Sequence, residues 1–243
     1  MQTRQSLPVL LLPALLLAGC NVNKDINIPA NAHWSSGSST INGEITVGAG
    51  AVVDGNLRTI NGSISLAAGA QTGNLTTING GISLADGAHA DKLRAVNSEI
   101  TLAKNAVISG DVATVNGDIR AAAGAHISGT LDNVNGDMAL CNARVDRDLN
   151  FYNGTVLITD GASIQGNVTA KKPTGQVEES ENTVTPTLII GPHATVGGAI
   201  SFERPGKLYV SDSAVIHDVH GVIPVKFTGE TPAGVKLPTC LTE

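Results

Sequence analysis

Aromatic residues are scarce in this 243-residue chain: one Trp, two Tyr and three Phe, 2% of the whole. Carbohydrate clefts and single-strand nucleic-acid platforms stack their ligands on exposed rings, so the scarcity argues against both. Charged residues make up only 15% and the formal charge is −6. No basic run exists that could neutralise a row of phosphates, which excludes nucleic acid as a partner. Cysteine is limited to Cys20, Cys141 and Cys240, too few for a disulfide-built scaffold. There is no Gly-x-Ser-x-Gly, no Walker loop and no supported cysteine–histidine pair. We therefore assign no catalytic residue, no metal ligand and no cofactor, and expect no enzyme.

A row of alanines is present instead. Ala32, Ala51, Ala70, Ala88, Ala106, Ala125, Ala143, Ala162, Ala194 and Ala214 recur about every 18 or 19 residues. Six positions earlier stands an aliphatic residue in most units (Ile26, Ile45, Ile64, Ile82, Ile100, Ile119, Val156, Leu188, Leu208), and a second follows two positions after it. A fixed period of this size marks a stacked repeat in which no unit buries its apolar face alone. Within Ile119–Leu131 the apolar residues alternate, which is strand periodicity. Gly50, Gly69, Gly87, Asn105, Gly124 and Gly161 stand before their alanines and suit sharp corners. The pattern predicts an all-β fold: a single-stranded parallel β-helix, or β-solenoid, of about ten coils. At one strand spacing per coil this is a rod on the order of 48 Å long.

A second column runs beside the first. Asn23, Asn42, Asn61, Asn79, Asn97, Asn116, Asn135 and Asn153 stand at the same period, most of them followed by Gly. Asn-Gly favours a tight turn with positive φ. Stacked asparagines can also form an amide ladder, which we expect here in preference to an active-site stripe. The aliphatic residues just before the asparagines (Ile41, Ile60, Ile78, Val96, Val115, Val134) are expected to complete the core.

Residues 1–19 read as a targeting segment. Arg4 precedes the apolar stretch Leu7–Leu16, which is too short to span a bilayer. Leu17-Ala18-Gly19-Cys20 resembles the lipobox of bacterial lipoproteins. That resemblance implies cleavage before Cys20 and acylation of its thiol and new amine, so that the partner is a lipid bilayer. Asn21, in place of a retaining aspartate, leans toward the outer membrane and a periplasm-facing location.

The remaining organisation follows from the repeat. Residues 20–40 hold the lipidated start and a first capping coil, in which Trp34 falls in a slot that is aliphatic in most later coils. We read it as a plug over the open end, a sugar or membrane contact being the alternative. Residues 41–222 form the solenoid. Its register breaks once, because Leu188 follows Val156 by 32 residues. The surplus, 170–186, is polar, acidic and bounded by prolines, and reads as a projecting loop. Residues 223–243 form a cap and a tail draped over the end, with Val222–Phe227 as either a final strand or a cap in which Pro224 blocks further ladder bonds. Cys141 and Cys240 are an even pair in an oxidising compartment, so a disulfide pinning the tail and two free thiols are the two alternatives.

Few residues gather as candidate ligands. His89 and His126 share an outward column two coils apart, too distant for one metal ion. His217-Asp218-Val219-His220 fits no standard zinc spacing. Asp118 and Asp137 should stack in adjacent coils as two solvated carboxylates, with calcium as the lesser alternative.

The units Val115–Leu131 and Ile189–Ile200 resemble the repeats of bactofilins, polymer-forming bacterial cytoskeletal proteins. The resemblance extends over roughly 22–222 at the level of repeat grammar. It implies a right-handed, three-sided parallel β-helix with a wholly apolar core, and end-to-end assembly into filaments. The chain departs from that family in its export signal and in ends that look capped. The second unit also resembles hexapeptide-repeat acyltransferases, whose strict hexads would make every coil 18 residues, whereas many here are 19. The expectation is a non-enzymatic structural lipoprotein, a rigid scaffold of the cell envelope with a homo-oligomer or an envelope protein as partner. A surface module binding glycan or protein is the alternative, and a polysaccharide-active enzyme the least favoured reading.

Overall fold

The computed structural model describes residues 22–172 and 184–241. Residues 1–21, which include the expected targeting segment and Cys20, lie outside the described residues, as does 173–183 of the insertion. The fold is a three-sided parallel β-solenoid, and no helix occurs among the described residues. The first sheet has eleven strands, from Ile26–Ile28 to Pro224–Phe227. The second has nine, from His33–Trp34 to Thr195–Val196, and the third has ten, from Ser38–Thr40 to Val219–His220. Each coil lays one short strand on each sheet, so successive coils pair in parallel.

Identical positions stack coil on coil. Ile26, Ile45, Ile64, Ile82, Ile100, Ile119, Met138, Val156, Leu188, Leu208 and Pro224 form one continuous column. The register crosses the insertion unbroken, with Val156 opposite Leu188. The insertion is shorter than 170–186. Ala170 ends a third-sheet strand opposite Phe202 and is fully buried, and Pro186 accepts the Lys207 N–H at 2.9 Å. The solenoid also runs past 222, because Pro224–Phe227 pairs with Lys207–Ser211 as the eleventh strand of the first sheet.

The alanine row lies inside a corner. Ala51, Ala70, Ala88, Ala106, Ala125, Ala162 and Ala194 are fully buried. The N–H of Ala51 closes a four-residue turn on the Gly48 carbonyl, and Ala70, Ala88 and Ala125 repeat the bond at 3.0–3.1 Å. The residue before the alanine carries positive φ, as at Gly50 (65°), Asn105 (56°) and Asn142 (52°). In the coil of Ala143 this corner is one residue shorter, which is why Met138 precedes its alanine by five and still stacks on Ile119.

The interior is not wholly apolar. Thr40, Thr59, Thr77, Thr114 and Asn133 point inward from the third sheet and are buried. Each donates to a carbonyl of the coil below: Thr59 Oγ1 to Gly43 O at 3.0 Å, Thr77 to Gly62 O at 3.1 Å, Thr114 to Ser98 O at 3.1 Å, and Asn133 Nδ2 to Gly117 O at 3.2 Å, while the Asn133 Oδ1 is left without a partner. A buried hydroxyl without such an acceptor would be costly, and the repeat supplies one in register. Farther along, this column passes to Phe151, Ala170 and Phe202, with the two rings edge to face at 6.2 Å. Because Leu57 and Thr59 face in, strand alternation turns Ile60 out. Ile41, Ile60, Ile78, Val96, Val115 and Val134 therefore form a half-buried outer ridge and do not complete the core.

The Asn-Gly glycines serve a different need from the one expected. Positive φ occurs at Gly136 and Gly154 only among them. At Gly62 a Cβ would stand 1.9 Å from the Gly43 carbonyl oxygen, so the coils approach too closely there for any side chain.

The tail does not drape over the end. Cys240 is bonded to Cys141 with their Cα atoms 6.0 Å apart, which places the tail on the outer face of the first sheet, four coils back from Phe227. Ala139, Leu157 and Ile189 occupy outward positions there and are only 1%, 5% and 1% exposed. Outward residues of a sheet reach that burial only under cover. Pro232 of the tail is buried, and Val235, Leu237 and Pro238 are half-buried.

Among the described residues both ends keep strands with one partner each: Ile26–Ile28, His33–Trp34 and Ser38–Thr40 at one, Pro224–Phe227 and Val219–His220 at the other. Trp34 shares the inward column of Val53 yet is 37% exposed, because no described coil lies beyond it. Val215, Ile223 and Val225 are exposed at the opposite end.

Candidate functional site

The most regular polar feature is the asparagine column. Each side chain donates from Nδ2 to the Oδ1 of the coil before it: Asn61 to Asn42 at 2.7 Å, Asn79 to Asn61 at 2.8 Å, Asn97 to Asn79 at 2.9 Å, Asn116 to Asn97 at 3.0 Å, and Asn135 to Asn116 at 2.8 Å. Asn42 donates likewise to Asn23, and Asn153 to Asn135. The main chain repeats the stacking, with Asn61, Asn79 and Asn97 N–H groups bonded to Ile41, Ile60 and Ile78 carbonyls at 2.8 Å. Arg204, on the connection after the insertion, ends the column by donating to Asn153 Oδ1 and Tyr152 O, and it also reaches Val184 O at 3.1 Å. Arg204 thus ties the returning chain of the insertion to the ladder.

Acidic and amide side chains at two corners hold the backbone of the next coil. Asp118 Oδ1 accepts the Asp137 N–H at 2.9 Å, and Asp137 Oδ1 accepts the Thr155 N–H at 2.8 Å. Asp25 does the same for Glu44, Asp111 for Thr130, and Asp148 for Asn167. Asp118 and Asp137 are partly exposed carboxylates that also act as structural acceptors, and Asp118 takes a further hydrogen bond from Arg120 at 2.8 Å. Arg120 reaches Glu99 as well, and this bond leads the effects that raise its pKa. The Asp111 carboxyl is held below its ordinary value chiefly by the hydrogen bond from Lys92, 2.7 Å away. Short polar side chains at these corners are visible in the sequence, but the backbone N–H each one serves is set by the coil stacking.

His89 and His126 lie in one outward column of the second sheet with Val107 between them. They engage different partners: His89 Nε2 meets Ser109 Oγ at 2.7 Å, and His126 Nε2 meets Asp146 Oδ2 at 2.8 Å. Burial pushes the Asp146 carboxyl up, but His126 and Arg144 outweigh it and the net shift is downward. Among the described residues, one group of three metal-type side chains converges to within 4.8 Å: Cys141, Asp160 and Cys240. Its two sulfurs are bonded to each other and offer no thiolate to a cation. His217, Asp218 and His220 are exposed and do not converge in this way.

A recess of about 390 Å³ lies between the ladder and the Asp column, lined by Asp118, Asn135, Asp137, Asn153 and Val184 at the base of the insertion. No helix among the described residues is long and apolar enough to cross a membrane. No family model, curated protein or solved structure matches the chain.

Proposed function

We propose that the chain is a non-enzymatic structural lipoprotein of the bacterial cell envelope, anchored through acylated Cys20 in the outer membrane and facing the periplasm. The observation that carries this reading is the unbroken parallel register from Ile26 to Phe227, which begins six positions after Cys20. A lipid at that point would mount the rod almost directly on the bilayer. Ten coil steps give it a length of about 48 Å. Its most regular polar columns bond neighbouring coils: amide on amide, carboxylate on backbone, threonine on carbonyl. Such a body supplies stiffness and spacing. The singly paired strands at both ends extend the reading, since an open edge can accept a strand of a second copy. A bactofilin-like, end-to-end polymer is the form this assembly would take.

The test is the solution mass of residues 21–243, made without lipid, over a range of concentration and salt, with electron microscopy of the same samples. Filaments or an open-ended mass series are the expected result. A single sharp monomer at all concentrations refutes the polymer. Lipidation is tested separately: mass spectrometry of the membrane-extracted protein should show an acylated Cys20 at the new N-terminus, and Cys20→Ser should release the protein from the membrane.

The recess beside Val184 favours a second reading, a binding module for an envelope glycan or protein. Deleting 173–183 distinguishes the two. A binder loses retention on isolated envelope material, whereas a scaffold keeps its assembly.

A further inference from the structure

The covered face of the first sheet carries chemistry that neither reading uses. In the first five coils the middle outward residue of the first sheet is small and polar: Asn27, Thr46, Ser65, Ser83 and Thr101. In three consecutive coils it becomes Ala139, Leu157 and Ile189, an apolar strip beneath the tail. The tail is attached at Phe227 and again at Cys240. Between them, 228–240 could extend over roughly 43 Å, whereas four coil steps need only about 19 Å. Gly229 and Gly234 take positive φ, 87° and 73°, in open surroundings. A slack segment with two such joints is held where it is by its far attachment.

That attachment has a built-in guard. A carboxylate oxygen of Asp160 lies within 4.8 Å of both sulfurs. Asp160 sits at the corner of the next coil, with φ 56°, a conformation that an aspartate or asparagine accepts readily. Reductive opening requires one sulfur to leave as a thiolate, and a fixed negative charge beside it disfavours that anion. Cys141 is 7% exposed while Cys240 is half-exposed, so an incoming thiolate meets the Cys240 sulfur first.

We infer that residues 228–241 form a strap latched by Cys141–Cys240 over an apolar strip, that a dithiol reductant unlatches it, and that Asp160 slows this opening. One thiolate of the dithiol attacks Cys240 Sγ. The Sγ–Sγ bond breaks, and Cys141 leaves as a thiolate and takes up a proton. The second thiol of the reductant then closes on the mixed disulfide, and Cys240 is released and protonated in turn. Two electrons and two protons pass to the chain, and the reductant becomes a cyclic disulfide. The freed strap lifts from Ala139, Leu157 and Ile189, while the solenoid beneath keeps its register.

The test uses the full-length protein in detergent, with and without dithiothreitol, followed by hydrogen exchange and mass spectrometry. Reduction should speed exchange in 228–241 at least about tenfold, leave 45–121 unchanged, and add binding of an apolar fluorescent dye. Cys240→Ser should show the same behaviour without reductant. Unchanged exchange in 228–241 after complete reduction, or in the Cys240→Ser protein, overturns the latch. Asp160→Asn, which keeps the size and the allowed φ, should be reduced about threefold faster or more when thiols are trapped by alkylation over time. An equal or slower rate overturns the guarding role of Asp160.

Discussion

Gly62 and Gly69 belong to the same coil, yet replacing each with alanine should fail for different reasons. At Gly62 a Cβ would meet the Gly43 carbonyl oxygen at 1.9 Å and its carbon at 2.6 Å. Both are backbone atoms of the coil below and cannot swing aside, so the two coils must separate at that corner. Overpacking of this kind costs about 1–3 kcal/mol. Separation also strains the Thr59–Gly43 hydrogen bond inside, worth a further ~0.5–1.5 kcal/mol. The expected total is about 2–4 kcal/mol. At Gly69 a Cβ meets nothing within 4 Å, and the cost is the left-handed φ of 65° alone, about 1–2 kcal/mol. Guanidinium denaturation followed by far-ultraviolet circular dichroism gives both numbers. The close-approach account is refuted if Gly62→Ala costs no more than Gly69→Ala.

Three other predictions concern the columns. Asn97→Ala removes two rungs of the ladder at once and should cost about 1–2 kcal/mol by the same denaturation, with Asn97→Asp costing less because it still accepts from Asn116. Ala125→Leu should destabilise by about 1–3 kcal/mol, since Ala125 is fully buried inside its corner; a neutral result would mean the corner has room that the structure does not show. Because Lys92 holds the Asp111 carboxyl below its ordinary value, the ionised form stabilises the fold above about pH 4, and this contribution is lost as pH falls through the depressed folded value. Lys92→Met should move the Asp111 titration upward in carboxyl-detected nuclear magnetic resonance and flatten the acid limb of stability, and an unmoved titration contradicts the pairing.

The repeat was legible because it is written three times over. The alanine, the aliphatic pair and the asparagine recur together, and any one of them locates the coil. The phase of the third sheet was harder. In Leu57-Arg58-Thr59-Ile60-Asn61, apolarity alone sends Ile60 inward. Counting by twos from Leu57 sends Thr59 inward instead, and the hydroxyl finds its acceptor only when the coil below is stacked in register. The covered strip also had a signal. Met138-Ala139-Leu140, Val156-Leu157-Ile158 and Leu188-Ile189-Ile190 are apolar at every position, as strands buried on both faces are. What lay over them could not be read from those strands, because the cover comes from the far end of the chain through Cys240.

The asparagine ladder has an electrical direction. Every amide donates toward the amino-terminal coil and presents its oxygen to the carboxy-terminal one, so the side-chain dipoles add along the rod axis rather than cancel. The oxygen end is the negative pole, and the Arg204 guanidinium sits against it as a cation sits at the end of a helix. The opposite pole is the amide nitrogen of Asn23, beside the first coil. A parallel sheet already distinguishes its two ends by strand direction, and the ladder adds a charge label to that distinction. The ladder stops at Asn153, three third-sheet strands short of the carboxy-terminal end, so its negative pole lies on the flank of the rod beside the insertion and not at the tip.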